Sequence, residues 1–145
     1  MRIVLQRVSS ASVTVDEQIV GSIGKGYVVL LGIGKDDSRE KVEKMVEKIR
    51  KLRIFPDEND KINLSIDDMC GEILVVSQFT LYADCKKGNR PSFTEAGSPQ
   101  LAEELYDYFI EASQGKFGKV AHGVFGAHMS VELVNDGPFT VILEE

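Results

Sequence analysis

The segment Ser77-Gln78-Phe79-Thr80-Leu81 is where the chain first offers chemistry. The apolar run Ile73-Leu74-Val75-Val76 turns abruptly polar there. Hydroxyls and a side-chain amide are thereby set at a sheet margin, where ligands of α/β proteins commonly bind. Plain strand termination by polar residues is the competing account. Thr80 could serve as a hydroxyl nucleophile, but that requires an adjacent base. The chain's two histidines, His122 and His128, have no spacing that puts either beside Thr80, and both read as structural. No Ser-His-Asp arrangement is legible. The alternative is backbone chemistry, in which N–H groups around Phe79 and Thr80 stabilise a developing oxyanion.

Other segments could complete such a site. Asn135-Asp136-Gly137-Pro138-Phe139-Thr140 reads as a tight turn between strands. It could instead be a place where Gly137 lets backbone approach a ligand, with a Gly-Pro bond able to be cis. Gly88-Asn89-Arg90-Pro91-Ser92-Phe93 either fixes Arg90 near a phosphate or packs Phe93. Lys86 and Lys87 precede it in the loop directly after the key strand, so Lys86, Lys87 and Arg90 are candidate RNA contacts. The basic residues of 41–53 read as the solvated face of a helix. A net charge of −6 argues against a broad, nonspecific nucleic-acid binder, though not against local contact with RNA. Cys70 and Cys85 lack the CxxC spacing of a zinc site and are too few for a disulfide scaffold. Neither a metal nor a cofactor is expected.

The elements that must position these residues follow from periodicity. With 145 residues, 43% apolar and 28% charged, the composition is that of an ordinary globular protein, and residues 1–145 read as one domain. No apolar run reaches the ~18 residues of a membrane span, and the first residues do not form a signal-peptide core. A cytoplasmic protein without membrane contact is expected. Residues 3–15, rich in β-branched side chains, and the apolar run Tyr27-Val28-Val29-Leu30-Leu31 predict strands, the second buried on both faces. Asp37 and Glu40 suggest a capping box for a helix whose stripe is Val42, Met45, Val46, Ile49 and Leu52, ended by Phe55-Pro56. A polar loop, residues 57–61, precedes a strand over 72–80. Ser98 and Pro99 predict the start of a second helix, with Leu101, Leu105, Tyr108, Phe109 and Ala112 toward the core and Gly115 as its stop. Short strands are predicted over 119–124, 129–134 and 139–143. The class is mixed α/β: a curved, largely antiparallel or mixed β-sheet with two helices packed on one side.

Taken together, these segments resemble the D-aminoacyl-tRNA deacylases, the branch described by activity on D-tyrosyl-tRNA. The resemblance spans essentially the whole chain. It runs from Met1-Arg2-Ile3-Val4-Leu5-Gln6-Arg7-Val8, through Ser77-Gln78-Phe79-Thr80-Leu81-Tyr82-Ala83-Asp84 and Gly88-Asn89-Arg90-Pro91-Ser92-Phe93, to Asn135-Asp136-Gly137-Pro138. It implies the family fold and a homodimer with each active site at the subunit interface. The strand end of one subunit would face the cis Gly-Pro turn of the other. By the same resemblance Gly137 and Pro138 would reject L-amino acids, and Arg7 would hold their turn. Phe125 and Met129 would stack the terminal adenosine of tRNA, although packing in the core explains these two equally well. Phe139, Cys85 and Ile62 depart from the residues usual at their positions, and Phe139 bears most directly on the turn.

The implied reaction is hydrolysis of the ester between a D-amino acid and the terminal ribose of tRNA. Backbone oxyanion stabilisation, assisted by the neighbouring ribose 2′-OH, is favoured over a Thr80 nucleophile because no acid–base pair is legible. Glycine has no side chain to collide with the Gly137-Pro138 carbonyls, so glycyl-tRNA, including glycine mischarged on tRNA-Ala, is an expected substrate too. Two rivals remain: a non-catalytic RNA-binding or interaction module, and a small esterase or amidase acting on free metabolites.

Overall fold

A computed structural model describes all residues, 1–145. It contains eight strands and two α-helices in the order β1 (Arg2–Val15), β2 (Gln18–Ile23), β3 (Gly26–Gly32), α1 (Arg39–Lys51), β4 (Arg53–Pro56), β5 (Ile62–Ser65), β6 (Glu72–Ser77), α2 (Pro99–Ser113), β7 (Lys119–His122) and β8 (Ser130–Glu144). The main sheet has the order β2-β1-β3-β6-β7, with β8 on the other edge of β1. Pairings through β1 are antiparallel, whereas β3–β6 and β6–β7 are parallel. Parallel neighbours need long crossovers, and α1 and α2 lie in them. The long β1 curls the sheet, pairing with β3 through Arg2–Val8 and with β2 through Ala11–Val15. β2 thereby returns close to β7, so close that a side-chain carbon at Gly21 would lie 2.8 Å from the His122 carbonyl oxygen. The sheet is thus nearly closed, and the mixed α/β class with two helices is the observed one.

Alternation along the central strands makes two cores. Tyr27, Val29 and Leu31 of β3 and Ile73 and Val75 of β6 pack beneath the helices. Val28, Leu74 and Val76 point the other way, into the curl of the sheet, with Val8, Val13 and Ala121. Burial on both faces explains why both strands read as unbroken apolar runs. On the helical side α1 contributes Val42, Met45, Val46 and Ile49, as its spacing predicts.

Several local expectations are corrected. Asp37 caps nothing: α1 starts at Arg39 behind Ser38, whose side chain makes no capping bond. The Asp37 carboxylate instead accepts hydrogen bonds from the α-ammonium of Met1 and the Gly34 N–H, both at 2.6 Å. A buried ammonium is a stronger claim on a carboxylate than an exposed helix end. Phe55-Pro56 does not end α1, which stops at Lys51; both lie in β4, which forms a hairpin with β5 around the polar 57–61 loop. In α2 the Ser98 Oγ accepts from the Leu101 N–H at 3.3 Å with Pro99 next, as predicted. Its inward face is rotated slightly from the predicted one, however: Ala102, Leu105, Tyr106, Phe109 and Ser113 are buried, and Tyr108 turns to α1, donating to Glu43.

The largest correction concerns the C-terminal strands. The predicted 129–134 and 139–143 strands are one element, β8, and Asn135-Asp136-Gly137-Pro138 is no hairpin turn. Gln6 of β1 pairs with Thr140 and Val8 with Asn135, so five steps along β8 oppose two along β1. The surplus bulges out of the ladder opposite Arg7. Proline has no N–H for the ladder, and Gly137 has φ +126, a conformation that L side chains rarely adopt.

Candidate active site

β6 ends where Ser77 pairs with Leu31 of β3. The Gln78 N–H still donates to the Leu31 carbonyl, at 2.8 Å, but Gln78 then leaves strand geometry with φ −143 and ψ 75. A single 3-10 turn follows, Phe79–Tyr82, where the sequence predicts a strand continuing through Thr80. Leu81 N–H donates to Gln78 O at 3.2 Å and Ala83 N–H to Thr80 O at 3.0 Å. The Phe79 and Thr80 N–H groups stand at the start of the turn, where no carbonyl one turn back is available to them.

Arg2 braces the turn: its Nη1 donates to Leu81 O at 3.1 Å and its guanidinium lies 4.7 Å from the Tyr82 ring centre. Burial, with the Asp37 carboxylate nearby, pushes the Tyr82 hydroxyl up to about 12, so it stays neutral. The Thr80 hydroxyl receives a hydrogen bond from the Gln78 side-chain amide. Neither imidazole is hydrogen-bonded to it: His122 Nδ1 engages the Gly123 carbonyl at 2.8 Å, and the partner of the Thr80 hydroxyl is Gln78.

An open cleft of about 510 Å³ lies between the end of β6, the start of α2 and the 123–129 segment. Ser77, Gln78 and Phe79 line it on one side, Phe125, His128 and Met129 on the other, over an apolar floor that includes Leu31 and Val76. Phe125 and Met129 are thus cleft walls, half-buried against the core rather than enclosed in it. Tyr106 fixes that wall from behind, which its sequence position does not reveal. Its hydroxyl bridges the Val75 and Gly123 carbonyls at 3.2 Å each, and its ring lies 5.8 Å from that of Phe125. Tyr106→Phe should therefore cost about 1–2 kcal/mol in urea unfolding and raise KM more than it lowers kcat; an unchanged midpoint would show that the bridge is dispensable.

The 83–97 loop folds back on the site. Asp84 and Ser92 exchange backbone hydrogen bonds of 2.7 and 3.0 Å, and Phe93 meets the exposed Phe79 ring edge-on at 5.0 Å. Lys86, Lys87 and Arg90 are exposed on this loop and do not line the cleft.

Arg7, Gly137 and Pro138 form a second cluster. Arg7 is 8% exposed, and its Nε donates to Asp136 O at 2.9 Å and its Nη1 to Ile54 O at 2.6 Å. The Gly137–Pro138 peptide is cis. Phe139 places its ring 4.9 Å from the Arg7 guanidinium, so this departure adds a contact to the bulge. Cys85 and Ile62 are exposed.

The two clusters do not meet within one chain. Arg7 is level with Tyr27 on β3, whereas Ser77 is level with Leu31. Four residues of strand put roughly 13 Å between those levels, and β6 and β8 are separated laterally by β3 and β1 as well.

The chain that carries this strand end, cleft and bulge is similar to proteins of known family. Residues 4–144 match the family model described as D-Tyr-tRNA(Tyr) deacylase. A protein of Clostridioides difficile (strain 630) named D-aminoacyl-tRNA deacylase is 56% identical over 99% of this chain and 97% of its own. Its namesake in Thermosipho africanus (strain TCF52B) is 54% identical with the same coverage. A solved structure titled c-Myc DNA Unwinding Element Binding Protein superposes with TM-score 0.94 at 44% identity, covering 100% of this chain and 99% of that one. A probable eukaryotic D-amino acid tRNA deacylase shares the fold, with TM-score 0.87 at 20% identity over 98% and 97% of the two chains.

The mixed α/β fold and these relatives together define a small hydrolase that acts on an ester bond. The chain belongs to the D-Tyr-tRNA(Tyr) deacylase family.

Proposed function

We infer that the cleft hydrolyses the ester joining a D-amino acid to the terminal ribose of tRNA, within a homodimer. The observation that carries this reading is the cleft itself, with the unengaged Phe79 amide on one wall and an aromatic ring with a thioether on the other. The ring and thioether of Phe125 and Met129 suit a nucleobase face. That places the esterified ribose toward the strand end, where the Phe79 and Thr80 amides can receive the carbonyl oxygen as it becomes an oxyanion. Water adds to the carbonyl carbon, the ribose oxygen leaves with a proton, and the free D-amino acid and tRNA result. No protein base contacts Thr80, so the neighbouring ribose 2′-OH is the group that activates the water. Lys86, Lys87 and Arg90, exposed on the 83–97 loop outside the cleft, would meet the tRNA backbone.

Gly137 and Pro138 lie too far from this strand end to act on it in the same chain. A second copy would bring them opposite Ser77–Thr80, where their carbonyls would collide with an L side chain. Glycine escapes that filter. D-aminoacyl-tRNAs and glycyl-tRNA should therefore be cleaved in a deacylation assay over matched D-, L- and glycyl-tRNAs, and the L-form spared. Efficient cleavage of L-aminoacyl-tRNA would refute the filter. Free amino-acid esters used in preference to the tRNA ester would point to a metabolite esterase, and hydrolysis of neither to a docking module. Thr80→Ala should keep most activity, because its hydroxyl has no base; near-complete loss in a folded variant would restore the nucleophile mechanism.

A further inference from the structure

The cleft offers a nucleotide a wall for its base but almost no charge for its phosphate. Among the side chains lining it, His128 is the one ionisable group; the others are apolar, glycine, or the neutral Ser77 and Gln78. The Gln78 amide is already engaged with Thr80. Lys86, Lys87 and Arg90 stand outside the lining, and the chain carries a net charge of −6. An anionic group that follows a base into this cleft therefore meets one side chain with a free-standing N–H donor and the capacity for positive charge.

The placement of His128 is not loose. It lies immediately before Met129 and three residues after Phe125, so it shares their wall. That segment is tied down at both ends of its first turn: Gly123 N–H donates to Val75 O at 2.9 Å and Ala127 N–H to Val124 O at 3.2 Å. Tyr106 holds Gly123 from the core side. His128 itself is exposed and makes no hydrogen bond within the chain, unlike His122. Its imidazole is available.

We propose that His128 is a positioning residue that donates a hydrogen bond to the phosphodiester of the terminal nucleotide whose base packs on Phe125 and Met129. The inference rests on the deacylase reading of the same cleft and names a recognition element that reading lacks. An imidazole carries an N–H donor in either protonation state. When charged, its hydrogen bond to phosphate is roughly twice as strong as a neutral one. His128 touches neither the ester nor its carbonyl oxygen, so its effect belongs to binding rather than to the chemical step.

The test uses a pair of non-hydrolysable ligands, 3′-amide-linked D-alanyl-adenosine with and without a 5′-phosphate, titrated calorimetrically into the whole protein. The wild type should bind the phosphorylated member about three- to tenfold more tightly. His128→Ala should bring that ratio to about one, and His128→Arg should restore it in a form that weakens with added salt. In parallel, His128→Ala should raise KM for D-aminoacyl-tRNA with little change in kcat. A wild type without phosphate preference, or a preference that persists in His128→Ala, overturns the contact. Failure of the wild type to deacylate D-aminoacyl-tRNA, read in its own assay, overturns the reading beneath it and this contact with it.

Discussion

Phe79→Pro should lower kcat for D-aminoacyl-tRNA by about 10²–10³-fold relative to Phe79→Ala, with the fold retained. Phe79 opens the 3-10 turn after β6, so its N–H makes no bond inside the turn and is the donor that the proposed mechanism gives to the oxyanion. Proline is tolerated at the first position of a helical turn because the missing N–H is unused there. Its predecessor Gln78, at φ −143 and ψ 75, already lies outside the helical region that proline disfavours before it. Phe79→Ala is the required comparison. It removes the ring that meets Phe93 at 5.0 Å yet keeps the amide. The difference between the two variants therefore isolates one hydrogen-bond donor. Single-turnover rates at saturating substrate measure it, and equal rates would remove the Phe79 amide from the mechanism.

Arg7→Ala should destabilise the chain by about 3 kcal/mol and loosen discrimination between D- and L-aminoacyl-tRNA by about tenfold. The guanidinium ties three parts of the molecule together. It reaches Ile54 O at the start of β4, Asp136 O in the β8 bulge, and the Phe139 ring beyond it. Removing it orphans two carbonyls and leaves a void beside Gly137, where a side-chain carbon would lie only 3.0 Å from Arg7 Nη2. Arg7→Lys should recover part of the stability, since one ammonium can serve one carbonyl but not the planar fork of both. Urea unfolding reads the first effect. The ratio of kcat/KM for D- and L-substrates, taken where the variant remains folded, reads the second. Undiminished selectivity in a folded Arg7→Ala variant would mean that the bulge is not the chiral filter.

Much of the scaffold around these residues is legible from sequence. β3 and β6 are apolar runs because both of their faces are buried. The stripe Val42, Met45, Val46 and Ile49 and the Ser98-Pro99 start give the two helices. Ser77–Thr80 is visible because polarity changes abruptly at a strand end. The places of Tyr106 behind the cleft wall and of His128 in its lining are not visible. An aromatic side chain on a helix reads as core, and nothing local indicates that its hydroxyl reaches carbonyls of β6 and Gly123. Likewise a histidine in an irregular segment carries no sign that it lines a cleft.

Local rules misread Asp37 and the Asn135–Pro138 segment for a related reason. An aspartate two residues before a helix resembles a cap until the amino terminus, 36 residues away, takes its carboxylate. Asn135-Asp136-Gly137-Pro138 resembles a turn until β1 pairs with both flanks and makes one strand of them.

By itself the sequence determined whatever depends on neighbours within a helical turn or along a strand: the periodicities, the α2 cap, the polar end of β6 and the motifs that indicate the family. Only the tertiary structure decided that Ser77–Thr80 and Gly137-Pro138 stand at different levels of the sheet and cannot meet in one chain. That separation is set by register, which depends on how β1 pairs with β3 and β8. The Arg7–Asp136 hydrogen bond that anchors the bulge joins residues 129 positions apart. No local pattern encodes so distant a pairing. It is settled by which alignment of strands buries the apolar faces and leaves the proline outside the ladder.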